Sequence, residues 1–226
     1  MRYELVGAAE INHIIAQSFV PYLDTLRFSR VSERKWVRNR VEGVRDLVVI
    51  QALGRSSYSP IIGFSLDYVP HIAGESARWH RTDKSALFDL RFDPLDYEMP
   101  NTPAFRKWTI AGIYGSRIAK EDFQRVGQLT ASHATKALDG IVTSHDLCSA
   151  FEQQIRGSPV RFGFYNYTQQ PLAYAFTLLR VGSTEKARKV FSEWKAAVKE
   201  SSIAMREVEV LFVRDLNQLS GNRPDA

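Results

Sequence analysis

One cysteine in 226 residues excludes an internal disulfide framework and any metal site built from several thiolates, and it points to a reducing compartment, the cytoplasm. Long apolar runs are missing as well. The opening stretch MRYELVGAAEINHIIAQSF breaks each run with Glu4, Glu10, Asn12 or His13, so it offers no leader core. Nowhere does the chain supply the roughly 20 uninterrupted apolar residues of a membrane span, and the expectation is a soluble protein without membrane contact. A phosphate-cradling glycine loop is lacking too. GAAEI and GFSLDY have neither the spacing nor the strand-turn-helix setting, so no nucleotide or other cofactor is expected.

What is present is enough apolar material for a full core, 44% of residues with 12% aromatic. Charge is distributed unevenly. The net charge is +5 for the whole chain, and residues 27–45 alone sum to +5, through Arg27, Arg30, Arg34, Lys35, Arg38, Arg40 and Arg45 against Glu33 and Glu42. Such a patch meets acidic protein, phosphate or nucleic acid, or it defends the edge of a hairpin. Within it, RKWVR sets an aromatic among guanidinium groups, the composition that interfaces enrich. Arg34, Lys35, Trp36 and Arg38 are therefore the candidate partner-binding residues, for a protein that is acidic at the contact. The rival position for Trp36 is the core, since only strand alternation decides which way it points.

Helical spacing of Ile11, Ile14, Ile15, Ser18, Phe19, Tyr22, Leu23 and Leu26 predicts a helix over 8–25, kinked or shortened by Pro21. Short strands follow, with Glu42-Gly43 as a hairpin corner. DLVVIQALG is apolar on both faces and reads as a central strand that places the Gln51 amide among core residues. Two more strands follow: one around Phe64, Leu66 and Tyr68, and one with Phe88, Leu90 and Phe92 inward and Asp89, Arg91 and Asp93 outward. FRKWTIAGI, 105–113, adds a last strand. From 116 the chain turns helical, with breaks expected at Gly127 and Asp139-Gly140 and a cap pair at Gly182 and Ser183 or Thr184. The expectation is an α+β protein: an N-terminal helix and mostly antiparallel sheet over 1–115, a helical region over 116–219 packed on it, and a disordered tail over 220–226.

Sites for chemistry are sparse. ARWHRTDKSALFDLRFDP, 77–94, is dense in functional groups, but Asp89 and Asp93 lie about 13 Å apart along a strand, beyond the roughly 5–9.5 Å of a glycosidase pair. His71 and His80, with Asp67 or Asp83, match no recurring metal-ligand spacing, and no metal is expected. His145 and Cys148 share a helical face, the minimum for a thiolate nucleophile, without any nucleophile signature. No catalytic residue is assigned.

The stretch from Ile11 to Ile72 resembles an uncharacterised bacterial family, domain of unknown function 4304. Phe28, Arg38, VVIQ at 48–51, Ser56, Ser57 and GFSLDY carry that resemblance, and Arg27 departs from the family's usual glycine. It implies a fold for the first 95 residues or so and no catalytic residue. LLRVGSTEKARKVFSEW is similar to the turn and second helix of one tetratricopeptide-type hairpin, through Gly182, Ala187 and Phe191; one unit is not a repeat array. The reading that follows is a cytoplasmic, non-enzymatic protein-interaction module of immunity or accessory type. The alternatives are a nucleic-acid-associated protein using 27–45 and an enzyme with a site in 67–96.

Overall fold

The computed structural model describes residues 6–54, 57–92, 103–110, 115–157, 169–198 and 203–221. The architecture is α+β, with an N-terminal helix, a five-stranded antiparallel sheet and a helical C-terminal half. The chain divides into two compact units, 1–65 with 82–140 and 66–81 with 141–226. This division differs from the boundary expected at 115/116. The long helix after 115 packs on the first helix of the chain, and a hairpin from the sheet-bearing half goes with the C-terminal helices.

In the first unit, helix α1 (Ala8–Thr25) buries Ile11, Ile14, Ile15, Ser18, Phe19 and Leu23 and runs through Pro21 to its predicted end. Pro21 removes a bond to the carbonyl of Gln17, and both residues sit on the exposed face, where water replaces the donor. The helix ends in a Schellman turn: Phe28 N–H donates to Leu23 O at 3.0 Å and Arg27 N–H to Asp24 O at 2.9 Å. Arg27 takes the left-handed position with φ 62°, so the turn forms although a side chain stands where the resembling family has glycine.

Strands β1 (Ser29–Ser32), β2 (Lys35–Asn39), β3 (Val44–Gly54), β4 (Ser57–Leu66) and β7 (Leu90–Phe92) lie side by side in that order. The β2–β3 corner is Glu42-Gly43, both at positive φ, 59° and 74°, the primed turn that matches strand twist. β3 is buried on both faces only from Asp46 to Val48 and at Ile50; beyond its pairing with β2, which ends at Val49, Gln51 is half-buried and Ala52 and Leu53 are exposed. Gln51 is thus not the enclosed amide that the pattern predicts.

β7 is shorter than expected, and Asp89, assigned to its outer face, is fully buried; its N–H donates to Phe64 O at 2.8 Å. Asp93 lies outside the described residues. In its described part, the strand expected over 105–113 is instead helix α2 (Pro103–Trp108) followed by a single antiparallel bridge from Ile110 to Tyr58, while residues 111–113 lie outside the described residues. Pro103 suits a first helical turn, where its missing N–H has no intrahelical partner anyway.

Helix α3 (Ser116–Leu138) continues through Gly127, where a break was expected. A β-carbon there would stand 2.7 Å from Ser18 O, so glycine serves the close crossing of α1 and α3. The predicted break at Asp139-Gly140 is where α3 stops.

The second unit holds the hairpin β5 (His71–Ala73) and β6 (Ser76–Arg78) and helices α4 (Ser144–Gly157), α5 (Gln169–Arg180), α6 (Thr184–Ala197) and α7 (Ile203–Gly221). α5 is buried at every position from Leu172 to Leu179, a helix enclosed all round. It touches α4, α6 and α7, with Phe151 stacked on Tyr174 and Phe176 edge-on to Phe212. The α5–α6 turn is a second Schellman motif with glycine in the left-handed place: Ser183 N–H donates to Leu178 O and Gly182, φ 72°, to Leu179 O. α7 runs two residues into the tail expected from 220; residues 222–226 lie outside the described set.

Candidate interaction surfaces

The four candidate residues of the basic segment do not form an open patch. Trp36 has no solvent exposure and stacks on Phe19 with ring centroids 5.8 Å apart. Its neighbour Val37 is buried on the other face against Leu47 and Ala86. β2 is therefore covered on both sides, which corrects the placement of Trp36 on an interface: its rival position in the core is the one it occupies.

Around it the cations are engaged within the first unit. Arg34 Nε donates to Asn12 Oδ1 at 2.8 Å and its guanidinium lies 4.8 Å from the centre of the Tyr58 ring. Lys35 Nζ donates to the carbonyls of Lys84, at 2.8 Å, and Ala86; burial lowers its pKa, against the pull of Asp83. Arg38 donates through Nε to Asp46 and through Nη2 to Asp139, each at 2.5 Å, and lies over Phe28. Arg40 adds an ion pair to Asp46 at 2.6 Å and donates to Leu138 O.

Asp46 is fully buried, and burial pushes its carboxyl up against the opposing pull of Arg40 and Arg38. Two arginines at a helix end also complement the negative pole of α3. Arg45 pairs with Asp83 at 2.9 Å. The segment is thus largely a tether from the sheet to the end of α3 and to the turn at 82–86.

The string that suggested a site in 67–96 is split between the two units. His71 and His80 meet edge to face with centroids 4.6 Å apart, while Asp83 and Asp89 belong to the first unit. Arg81 covers Trp79 at 4.1 Å and donates to Asp67 O. Among the described residues, no three His, Cys, Asp or Glu side chains stand where they could share a metal ion.

A cluster that the sequence did not single out lies in the second unit. Tyr174 Oη donates to Glu152 Oε1 at 2.9 Å, and Lys186 Nζ reaches the same oxygen at 2.5 Å. Cys148 is buried beside them; burial, with Glu152 nearby, pushes its thiol up to about 11. Burial likewise pushes Tyr174 up to about 12. Both nucleophiles stay protonated near neutrality, the reverse of activation. The helical spacing of Cys148 and Glu152 was the available signal, but nothing in the sequence brings in Tyr174 or Lys186.

Of the apolar residues that mark the last helix, α7, Val208 and Phe212 are buried, whereas Ile203 and Leu219 are 56% and 40% exposed. Ile203 joins Val210, 67% exposed, and Val213, 43% exposed, in an aliphatic ridge on the face turned away from Ala204, Met205, Val208, Phe212 and Leu216. Val210 and Val213, with Arg206, Arg214 and Asn217, form an open surface on this single helix. Round the end of the same helix a recess of about 430 Å³ is lined by Tyr68, Phe176, Leu179, Arg180 and Asp215.

No helix among the described residues is long and apolar enough to cross a membrane. Set against protein-family models, curated proteins and solved structures, the chain matches none of them, and the likeness to domain of unknown function 4304 rests on its residue pattern alone.

Proposed function

We propose that this chain is a non-enzymatic protein-interaction module whose docking element is the outer face of α7. One observation carries the reading: α7 is apolar on two faces, and only one of them, through Val208, Phe212 and Leu216, is packed. Exposed aliphatic side chains gathered on one helix and rimmed by charge are the composition of helix-mediated docking surfaces. The protonated thiol and phenol of Cys148 and Tyr174 support a role without nucleophilic catalysis. A bacterial, cytoplasmic setting and an immunity or accessory role are part of the same proposal, with the lone buried Cys148 in keeping with a reducing compartment.

The contact moves away from Arg34, Lys35, Trp36 and Arg38, whose side chains serve the first unit, and the demand for an acidic partner goes with them. A nucleic-acid role would rest on the rest of the basic segment, where Arg27 and Arg30 are the exposed cations.

The test is a photo-crosslinking amino acid at Val210 and, as control, at the exposed Glu193, in cells expressing the chain. Adducts to polypeptide at 210 and none at 193 support the reading. No adduct at 210 under conditions where the chain is folded overturns it.

A further inference from the structure

We infer that the occupant of the α7 outer face is a second copy of this chain, docked antiparallel through the same face. The inference rests on the proposed docking role of α7 and adds the identity of its partner. With about 100° per residue, Ile203, Arg206, Val210, Val213 and Asn217 share the outward stripe, with Glu207 and Arg214 along one flank. Arg206, Val210, Val213, Arg214 and Asn217 are all exposed.

The stripe is complementary to itself in one orientation only. In an antiparallel pair centred between Leu211 and Phe212, Val210 faces Val213 of the second copy. Arg206 faces the side-chain carbonyl of Asn217, and Glu207 comes within a turn of Arg214 on the same flank. Each of these pairings occurs twice, as a two-fold axis requires. A parallel pair would instead set Arg206 against Arg206, a like-charge contact at the seam. Glu207 already accepts from Ala77 N–H at 2.9 Å through Oε2, which fixes its stem on the flank and leaves Oε1 for the guanidinium. Arg214 is held beside Asp215 at 2.8 Å. A seam of about three turns is short, so the pairing is weak and concentration-dependent.

Sedimentation of the full chain from about 5 to about 500 µM is the first measurement. The expected result is a reversible monomer–dimer equilibrium. Val210→Asp should be monomeric throughout with an unchanged circular dichroism spectrum, and Arg214→Glu should weaken the dimer about fivefold. Nitroxide labels at Ile203→Cys, in a Cys148→Ala background, then report direction: the two copies of position 203 lie about 26 Å apart along an antiparallel seam, against about 10 Å in a parallel one.

A wild type that stays monomeric to about 500 µM overturns the inference, as does a Val210→Asp variant that still dimerises, or a 203–203 separation near 10 Å. A monomer that nevertheless crosslinks from position 210 to a different polypeptide in cells would remove the second copy and leave the interaction reading standing.

Discussion

Nε of Arg40 lies 2.6 Å from Oδ1 of Asp46, a carboxylate with no solvent exposure whose other oxygen is held by Arg38. Removing one charge from such a cluster strands the others in a poorly solvated place, which costs about 3–5 kcal/mol. Asp46→Asn is therefore expected to lose that much stability in urea unfolding. Asp139→Asn removes a partner that is 43% exposed and should lose about 1 kcal/mol or less. Equal losses from the two variants would refute the central role of Asp46.

Arg27 holds a left-handed backbone position that costs a side-chain-bearing residue on the order of 1 kcal/mol. Its side chain makes no contact that glycine would forfeit from the core, being exposed. Arg27→Gly should raise the unfolding free energy by up to about 1 kcal/mol after the added chain entropy of glycine is set against it. Gly182→Ala, at φ 72°, should lower it by about as much. A destabilised Arg27→Gly would show that the guanidinium has a stabilising role in the turn.

His133 packs against Trp108 with ring centroids 5.3 Å apart, and burial, with Lys136 adding to it, lowers its pKa from the usual 6.5. The unfolded chain then takes up this proton more readily than the folded one. Its effect on stability is nil above pH 6.5, and stability falls as the pH drops below 6.5 until the lower folded value is passed. Urea midpoints at several pH values between 7.5 and 4.5 for wild type and His133→Phe should diverge on the acid side, with the variant the flatter curve; parallel curves would exclude the effect.

The thiol of Cys148, raised to about 11, should resist alkylation at pH 8 in the folded protein and react at the rate of a free cysteine in denaturant. Fast labelling of the native chain would reopen the case for a nucleophile in the second unit.

The sequence was most legible where pairing is local. With Glu42-Gly43 as the corner of a hairpin, counting outward sets Arg38 opposite Leu47, one residue from its observed partner Asp46, because Arg40 N–H donates to Val44 O and leaves three residues in the loop; the burial of Asp46 was not legible, since Arg38, which holds it, is tethered in turn to Asp139, 101 residues away. Helices with one apolar stripe were recognisable for the same reason. Trp36 was ambiguous because alternation presumes one wet face, and at Trp36 and Val37 both faces of β2 are covered. FRKWT reads as strand by residue type, yet Pro103 starts a helix there. The last helix was recognisable by its apolar residues, but that Ile203 lies on the face opposite Val208 and Phe212 follows from turn counting and not from composition. Gly127 reads as a break in either context until the helix that crosses it is known.

The order of the two units along the chain bears on how the protein is made. The β5–β6 hairpin leaves the ribosome early, but Ala77 N–H finds its acceptor on Glu207, 130 residues later. At roughly 5–20 residues per second the hairpin waits on the order of ten seconds for its helical support, and two strands alone are marginal in water. By then the first unit, complete at residue 140, has every segment it needs on either side of that hairpin. A premature stop within the C-terminal helices would therefore release a chain with a finished sheet and a two-stranded ribbon left without its cover.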